Sequence, residues 1–555
     1  MKQVALAEAV STHVRPGDTV HVMMGHSRWT AAARELLRQS WGSSPELVLV
    51  MASLSSLGAL FFKGGLVRKV ITAYSGDAFP TYSPNPVFQR GYTSGEVEVE
   101  HWSFLSFAQR LEAGARGLPA MVTGSLAGSS MSANPGFSLV ETPFGTVGLV
   151  QPLVPDVTLL HAALADEQGN LVMSEPLLEG VWGAWAARRG VIATVEKVVS
   201  SLEGLGHRVR VPAHRVLAVV EAPLGAHPGG CFAPGLPVNS YGEDIPFWVD
   251  SARATRADLE SWARHWVLEP KDQGDYLARL GDDRIEGLIA RADPNSWKAE
   301  AESIPVPVHE PPSSWEIAAA LGAREVVAAV EELDADAVLA GAGVANLAAW
   351  VAVGRARAGG SKVVLTAELG LWDYTPTPAD PYVFNQRVFP ATTYLTDASG
   401  VLGLIVGGPG TTTIGCLGAA QVDRHGNLNS TQLSVDHFLV GSGGGSDVAS
   451  RANTCVVVTL ARSGRLPADV SYVTSPGARV SRIVTDAGIL RRNGSDFEIS
   501  AVLAGAGSLA ERVAVLKGAC GWDVPVARNL EELVAVSASE VAQLRNFDRL
   551  RLFLS

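Results

Sequence analysis

The feature that most constrains this chain is that it is written twice. The stretch GDTVHVMMGHSRWTAAARELL (17 to 37) runs from an apolar strand through a glycine turn into an Ala-rich helix, and ADAVLAGAGVANLAAWVAVGR (335 to 355) does the same, with Gly25 opposite Gly343. A second short apolar strand follows each, PELVLVMAS (45 to 53) and SKVVLTAEL (361 to 369). Later LADEQGNLVMS (164 to 174) answers QVDRHGNLNST (421 to 431), so that Asp166, Gly169 and Asn170 match Asp423, Gly426 and Asn427. An Asp and an Asn that bond local backbone, with a Gly free to take positive φ, suit a tight turn, and architecture is the simplest role for that set.

Strands alternating with Ala-rich helices predict α/β parallel sheets in both halves. The Pro-rich, charged stretch ADPNSWKAEAESIPVPVHEPPSSWE (292 to 316) carries no apolar period and reads as a linker, dividing the chain near residue 305. The expected domains are 1–291, with a C-terminal extension from about 205, and 317–555 beyond the linker. At 555 residues the chain exceeds a single core. Sites in parallel sheets lie at the carboxyl ends of strands, so two pseudo-equivalent halves facing each other would build one active-site cleft between them.

Composition removes several classes. A 47% hydrophobic and 18% charged chain is globular, and a formal charge of −12 disfavours nucleic acid or an anionic membrane as partner. The uncharged run AVLAGAGVANLAAWVAV (337 to 353) approaches membrane-spanning length, but its central glycines divide it into strand, turn and helix. Cys231, Cys416, Cys455 and Cys520 are scattered, which is neither a zinc site nor a disulfide framework, and nothing calls for a metal. With no signal-peptide pattern at the N-terminus, a reducing cytoplasm is the expected location.

The repeat also isolates one residue. Glu368 ends the apolar run VVLTAE just ahead of Leu369 and Gly370, and at the offset that aligns the second strands it falls opposite Ala52. A charge left unpaired at the end of a buried strand costs free energy, so it needs a partner or a task. The first half manages with a methyl group, so the scaffold does not require the acid, and function is the favoured reading. A structural role particular to the second half is the alternative.

Read in order, the segments GLVRKVITAYSGD, SGEVEVEHWSF, ARGLPAMVTGSLAGS, LVPDVTLLHAALADEQGN, GAHPGGCF, GAGVANLAAW, TAELG, IGCLGAAQVDRHGNLNST and VGSGGGSDVAS resemble class I CoA-transferases, in particular the glutaconate CoA-transferase branch, whose α and β halves are here fused. The resemblance implies a NagB/RpiA-like fold in each half and a ping-pong transfer of coenzyme A from an acyl-CoA to a carboxylic acid acceptor. The family's nucleophilic glutamate matches Glu368, and its glutamyl-CoA thioester would form there. The glycine of its G-A-A-Q segment matches Gly418, an oxyanion donor by that carry-over, although close strand packing also explains a glycine. Further dimerisation is implied by the same analogy.

Binding candidates follow the strand ends. Gly343 and Asn346 of GAGVAN would line the cleft, as would Ser27 and Arg28 of GHSRW beside His26, with the Arg28 fork suited to a carboxylate. A solvated surface arginine is the bland alternative for Arg28. Gly443 and Gly444 of VGSGGGSD would bring backbone N–H groups to the coenzyme A moiety, with Asp447 well placed as a helix N-cap. Cys416 reads as a core thiol, His161 as a strand residue bonded to backbone, and the alternating Glu96, Glu98 and Glu100 as a solvated strand face. Where relatives in the family carry an arginine and an aspartate, this chain has Gly124 and Ser130, so glutaconate itself is not implied. The rival readings are a hydrolase or decarboxylase using the same cleft, with Glu368 as general base, and a non-catalytic CoA-binding protein.

Overall fold

The computed structural model describes residues 2–24, 29–79 and 81–555. In the first half, strands β1 (Thr19–Val22), β2 (Leu47–Val50), β3 (Val67–Thr72), β4 (Glu98–His101), β5 (Val157–Asp166), β6 (Gly190–Val199) and β7 (Val216–Glu221) form one sheet in the order β7-β6-β5-β1-β2-β3-β4. Every neighbouring pair in that order is parallel. In the second half, β8 (Ala337–Ala340), β9 (Val364–Ala367), β10 (Thr413–Gly418), β11 (Thr454–Val458) and β12 (Val480–Val484) take the order β12-β11-β10-β8-β9, again all parallel. The two runs correspond strand for strand as β7-β6-β5-β1-β2 and β12-β11-β10-β8-β9. The halves therefore share topology as well as sequence pattern.

Strands β1, β2, β8 and β9 are short apolar runs buried on both faces, as parallel strands covered by helices must be. The repeated turn behaves alike in both halves. Asp166 Oδ1 accepts the N–H groups of Gly169 and Asn170, each at 2.8 Å, while Asp423 Oδ1 accepts those of His425 and Asn427, each at 2.9 Å. Gly169 and Gly426 supply the positive φ, +97° and +80°.

The uncharged run resolves into β8, a turn and helix Val344–Ala358, with Gly343 at φ +72°. Its neighbour is the helix Ser314–Leu333, opened by a reciprocal capping box between Ser313 and Glu316. Gly322 in that helix has no room for a methyl group, which would meet Val458 Cγ2 at 2.7 Å and Ala348 Cβ at 3.4 Å. Small residues bring helix, helix and sheet close together, and that close approach excludes even alanine at residue 322. Within the expected linker the chain forms helix Trp297–Ser303, and Glu300 pairs with Arg387 and with Arg291 at 3.2 Å. None of the described helices is long and apolar enough to cross a membrane.

Candidate active site between the halves

Glu368 stands at the carboxyl end of β9, in a reverse turn rather than an open loop. After Glu368, Leu369 and Gly370 the chain returns as Leu371–Trp372, antiparallel to β9 with Ala367 opposite Leu371. Gly370 makes the turn possible, with φ +126° and no space for a Cβ, which would lie 2.2 Å from the Thr396 carbonyl. Thr396 N–H in turn donates to Gly370 O at 2.8 Å. The carboxylate is thus carried on a short, pinned hairpin at the edge of the parallel sheet.

A glycine-rich loop from 440 to 445 closes over it. Gly444 packs its Cα against the glutamate side chain so tightly that a methyl group there would sit 3.2 Å from Glu368 Cβ and Cγ. The same loop is stitched to the other half. Ala73, just beyond β3, accepts the N–H groups of Ser442 at 3.1 Å and Gly443 at 2.9 Å, and Ser75 N–H donates to Val440 O at 2.7 Å. Gly443 O accepts from Phe104 N–H at 3.0 Å, at the start of helix Phe104–Arg116, which follows β4. The carboxyl ends of β3 and β4 therefore meet the loop that covers Glu368, and the two halves face each other across it.

Asp447 corrects one expectation. It lies inside helix Gly445–Arg451 rather than at its N-cap, and its carboxylate crosses to the other half. There it accepts the Ser103 hydroxyl at 2.5 Å and the Leu105 N–H at 3.1 Å, serving the first turn of Phe104–Arg116. It is fully buried, and burial lifts its carboxyl to about 6.

Glu368 is raised further, to about 7, chiefly because burial withdraws water from the ionised form, with the Asp447 charge adding to it. Part of its surface remains open. Two phenols feel its charge, Tyr374 from the same half and Tyr82 from the other. Sequence reasoning missed both, since neither lies on a periodic strand or in a glycine turn.

The remaining candidates are distributed around this point. Gly418 is the exposed last residue of β10, separated from β9 by β8 alone. A methyl group there would meet only Ala345 Cβ at 3.9 Å and Val458 O at 4.0 Å, so strand packing does not demand glycine. Gly343 opens the helix after β8, with open space around its Cα. Asn346 is fully buried, donates its amide to Pro381 O at 3.2 Å and leaves Oδ1 without a partner among the described residues. Gly443 commits its N–H and carbonyl to the seam. Ser27 and Arg28, with Gly25 and His26, lie outside the described residues.

Cys416 is buried with its thiol pushed up to about 12, and it donates to Ala345 O at 3.2 Å, as a core thiol does. His161 is buried but bonds side chains rather than backbone, Thr194 Oγ1 at 2.9 Å and Glu196 Oε1 at 2.7 Å. Glu100 is not solvated: it accepts Arg110 at 2.6 Å and Trp102 Nε1 at 2.8 Å, a paired structural acid. The space that a side chain at Gly124 would need is filled from the other half by Arg451, whose Nη1 would lie 1.7 Å from an added Cβ.

A desolvated carboxylate thus stands at the strand ends of an α/β fold whose two parallel sheets meet beside it. Comparison with known proteins makes the class specific. The profile of the Coenzyme A transferase family matches residues 4–222. One of the 3-oxoadipate CoA-transferase subunits of Pseudomonas knackmussii is 29% identical over 290 residues, covering 50% of this chain and 97% of that protein. One of the glutaconate CoA-transferase subunits of Acidaminococcus fermentans is 26% identical over 322 residues, 52% of this chain and 94% of its own. The acyl-CoA transferase YdiF from E. coli O157:H7, solved as a thioester complex with CoA, shares the fold at 14% identity and a TM-score of 0.66, over 97% of this chain and 95% of its own. Residues 4–222 thus match the coenzyme A transferase family, and the relatives identify a CoA-transferase-type enzyme whose two halves are fused on one polypeptide.

Proposed function

We propose that this enzyme moves coenzyme A between carboxylic acids by a ping-pong route through a thioester on Glu368. The observation that carries the reading is the carboxylate itself, desolvated at the carboxyl end of β9 and bridged to the first half by the loop that touches it. Ionised, it needs no base to act as a nucleophile, and burial has already removed much of the water that would blunt it. A Glu368 oxygen attacks the acyl-CoA carbonyl, and the C–S bond breaks to give an acyl-glutamyl anhydride and CoA thiolate. The thiolate attacks the glutamyl carbonyl and expels the first acid as its carboxylate, leaving glutamyl-CoA. A second carboxylate then runs the two steps in reverse.

Gly418, at an exposed strand end that packing leaves free to carry a side chain, is proposed as the backbone oxyanion donor. Gly343, Asn346, Gly443, Gly444, Ser27 and Arg28 are proposed to line the binding cleft, with the residue ranges 1–291 and 317–555 as the two domains. A reducing cytoplasmic location and a homodimer complete the proposal.

One observation favours a second reading. A carboxyl group raised to about 7 is also suited to act as a general base toward water, which would make the protein an acyl-CoA hydrolase or a related lyase. Intact-protein mass spectrometry after incubation with a panel of acyl-CoAs separates the two. A CoA-sized adduct, removed by hydroxylamine and never formed by Glu368→Ala, is expected for transfer. CoA release with no adduct and no second acid would sink it in favour of hydrolysis.

A further inference from the structure

The phenol of Tyr82 has no structural employment. Its hydroxyl oxygen is shut away from solvent and finds no hydrogen-bond partner among the described residues. Its ring is firmly held, edge-on to Tyr74 with centroids 6.0 Å apart and packed against the apolar core that the two halves share. Tyr74 in contrast spends its own hydroxyl on Asp77 O at 2.8 Å, and Tyr374 accepts Trp350 Nε1 at 2.8 Å. A polar hydrogen left unmatched in a well-packed site costs free energy in the empty protein, so it signals a partner that arrives later.

The position of Tyr82 says where that partner sits. Tyr74, against which Tyr82 packs, forms an antiparallel bridge to Gly441, and three residues on Gly444 rests on Glu368. Among the charges that Tyr82 senses is the Glu368 carboxylate itself. Burial and that neighbouring charge hold the phenol well above its ordinary range, so it stays protonated and acts as a donor rather than as an acid.

From the orphaned hydroxyl and its place on the wall opposite Glu368, we propose that Tyr82 is a further catalytic residue, donating its O–H to the acyl oxygen as that oxygen becomes negative during attack by Glu368. The proposal rests on the nucleophilic reading of Glu368. It assigns the first half a chemical role in a step whose nucleophile belongs to the second. The hydrogen bond strengthens as the carbonyl turns tetrahedral and relaxes as the C–S bond breaks, with the proton remaining on Tyr82 throughout. An interaction made chiefly in the transition state should appear in the rate of the chemical step and not in substrate binding.

Tyr82→Phe keeps the ring and its contact with Tyr74 while removing only the hydroxyl. The test follows loading of Glu368 by mass spectrometry under single-turnover conditions, using whichever of acetyl-, succinyl-, glutaryl- and benzoyl-CoA loads the unaltered enzyme fastest, alongside steady-state turnover and thermal melting. A fall of about 10- to 100-fold in the loading rate and in kcat, with KM changed by less than about 3-fold and a melting temperature that holds or rises as the unmatched hydroxyl is removed, is the expected result. An unchanged loading rate, or an effect confined to KM, would overturn the role of Tyr82 while leaving Glu368 intact as nucleophile. Failure of the nucleophilic reading would register separately, as equal turnover and no adduct in Glu368→Ala.

Discussion

The Cα of Gly444 faces the side chain of Glu368 closely enough that a methyl group there would touch both Cβ and Cγ at 3.2 Å. That contact is tight enough to push the glutamate by a few tenths of an ångström, and the hairpin beneath it leaves little freedom to yield. Gly444→Ala should therefore keep the fold but lower the rate of thioester formation by about 10-fold, since small misplacements of a nucleophile are expensive. A matched measurement of melting and single-turnover loading checks it. Loss of the fold together with activity would mean that Gly444 serves the seam rather than the aim of Glu368.

The acidity of Glu368 predicts the pH profile. As the proposed nucleophile Glu368 must be ionised, and burial raises its carboxyl to about 7. kcat/KM should then rise with pH through about 7 with unit slope, falling about tenfold per unit on the acid side. An ordinary surface carboxylate would give a limb near 4.5 instead. A profile flat between about pH 5 and 8 would remove Glu368 as the group that limits attack.

The same shift makes Glu368 a stability cost with a defined sign. Its folded value, about 7, lies above the ordinary value of 4.5, so between those pH values the native state keeps a proton that the unfolded chain has released. Stability must fall as pH rises across that window, by on the order of 1–3 kcal/mol given the partial exposure of the group. Asp447, raised in the same direction, contributes similarly in both proteins under comparison. Glu368→Gln should thus be inactive yet gain stability relative to the unaltered enzyme between about pH 5 and pH 8. Urea midpoints at the two values decide it, and a difference that does not grow with pH would refute the burial argument.

How much of this was legible beforehand follows from what sequence records. Strand, glycine turn and helix are local patterns, so the repeat announced two parallel sheets, and even the matched turns of Asp166 and Asp423 behave as their residues suggest. Glu368 could be singled out because its counterpart is Ala52, an asymmetry visible without coordinates. What sequence could not place is anything that depends on the two halves meeting. Asp447 looked like a cap for its own helix, and only the fold shows its carboxylate on Leu105, 342 residues away. Tyr82 carries no periodic signature, and the Glu368 charge it feels belongs to the other half of the chain. The expectation for Glu100 failed for a similar reason: alternation reports which face a side chain takes, not that Arg110 and Lys69 wait there.

Asp447 joins the geometry of the seam to the acidity of Glu368, and its two roles are separable. Its negative charge helps hold the Glu368 carboxyl above its ordinary range, as the smaller cause beside burial. Asp447→Asn removes that charge but keeps an oxygen for the Leu105 N–H, while the new amide can face Ser103, whose hydroxyl is able to accept. The pH midpoint of kcat/KM should therefore move downward by a minor part of the total shift, with little loss of stability. Asp447→Ala also removes the charge, but strands the buried Leu105 N–H where the halves meet, at a cost of about 1–3 kcal/mol. Both variants should move the pH limb in the same direction, and only the second should lower the melting temperature substantially. An unmoved limb in both would show that Glu368 does not respond to the charge of Asp447, and that this acid serves the joint alone.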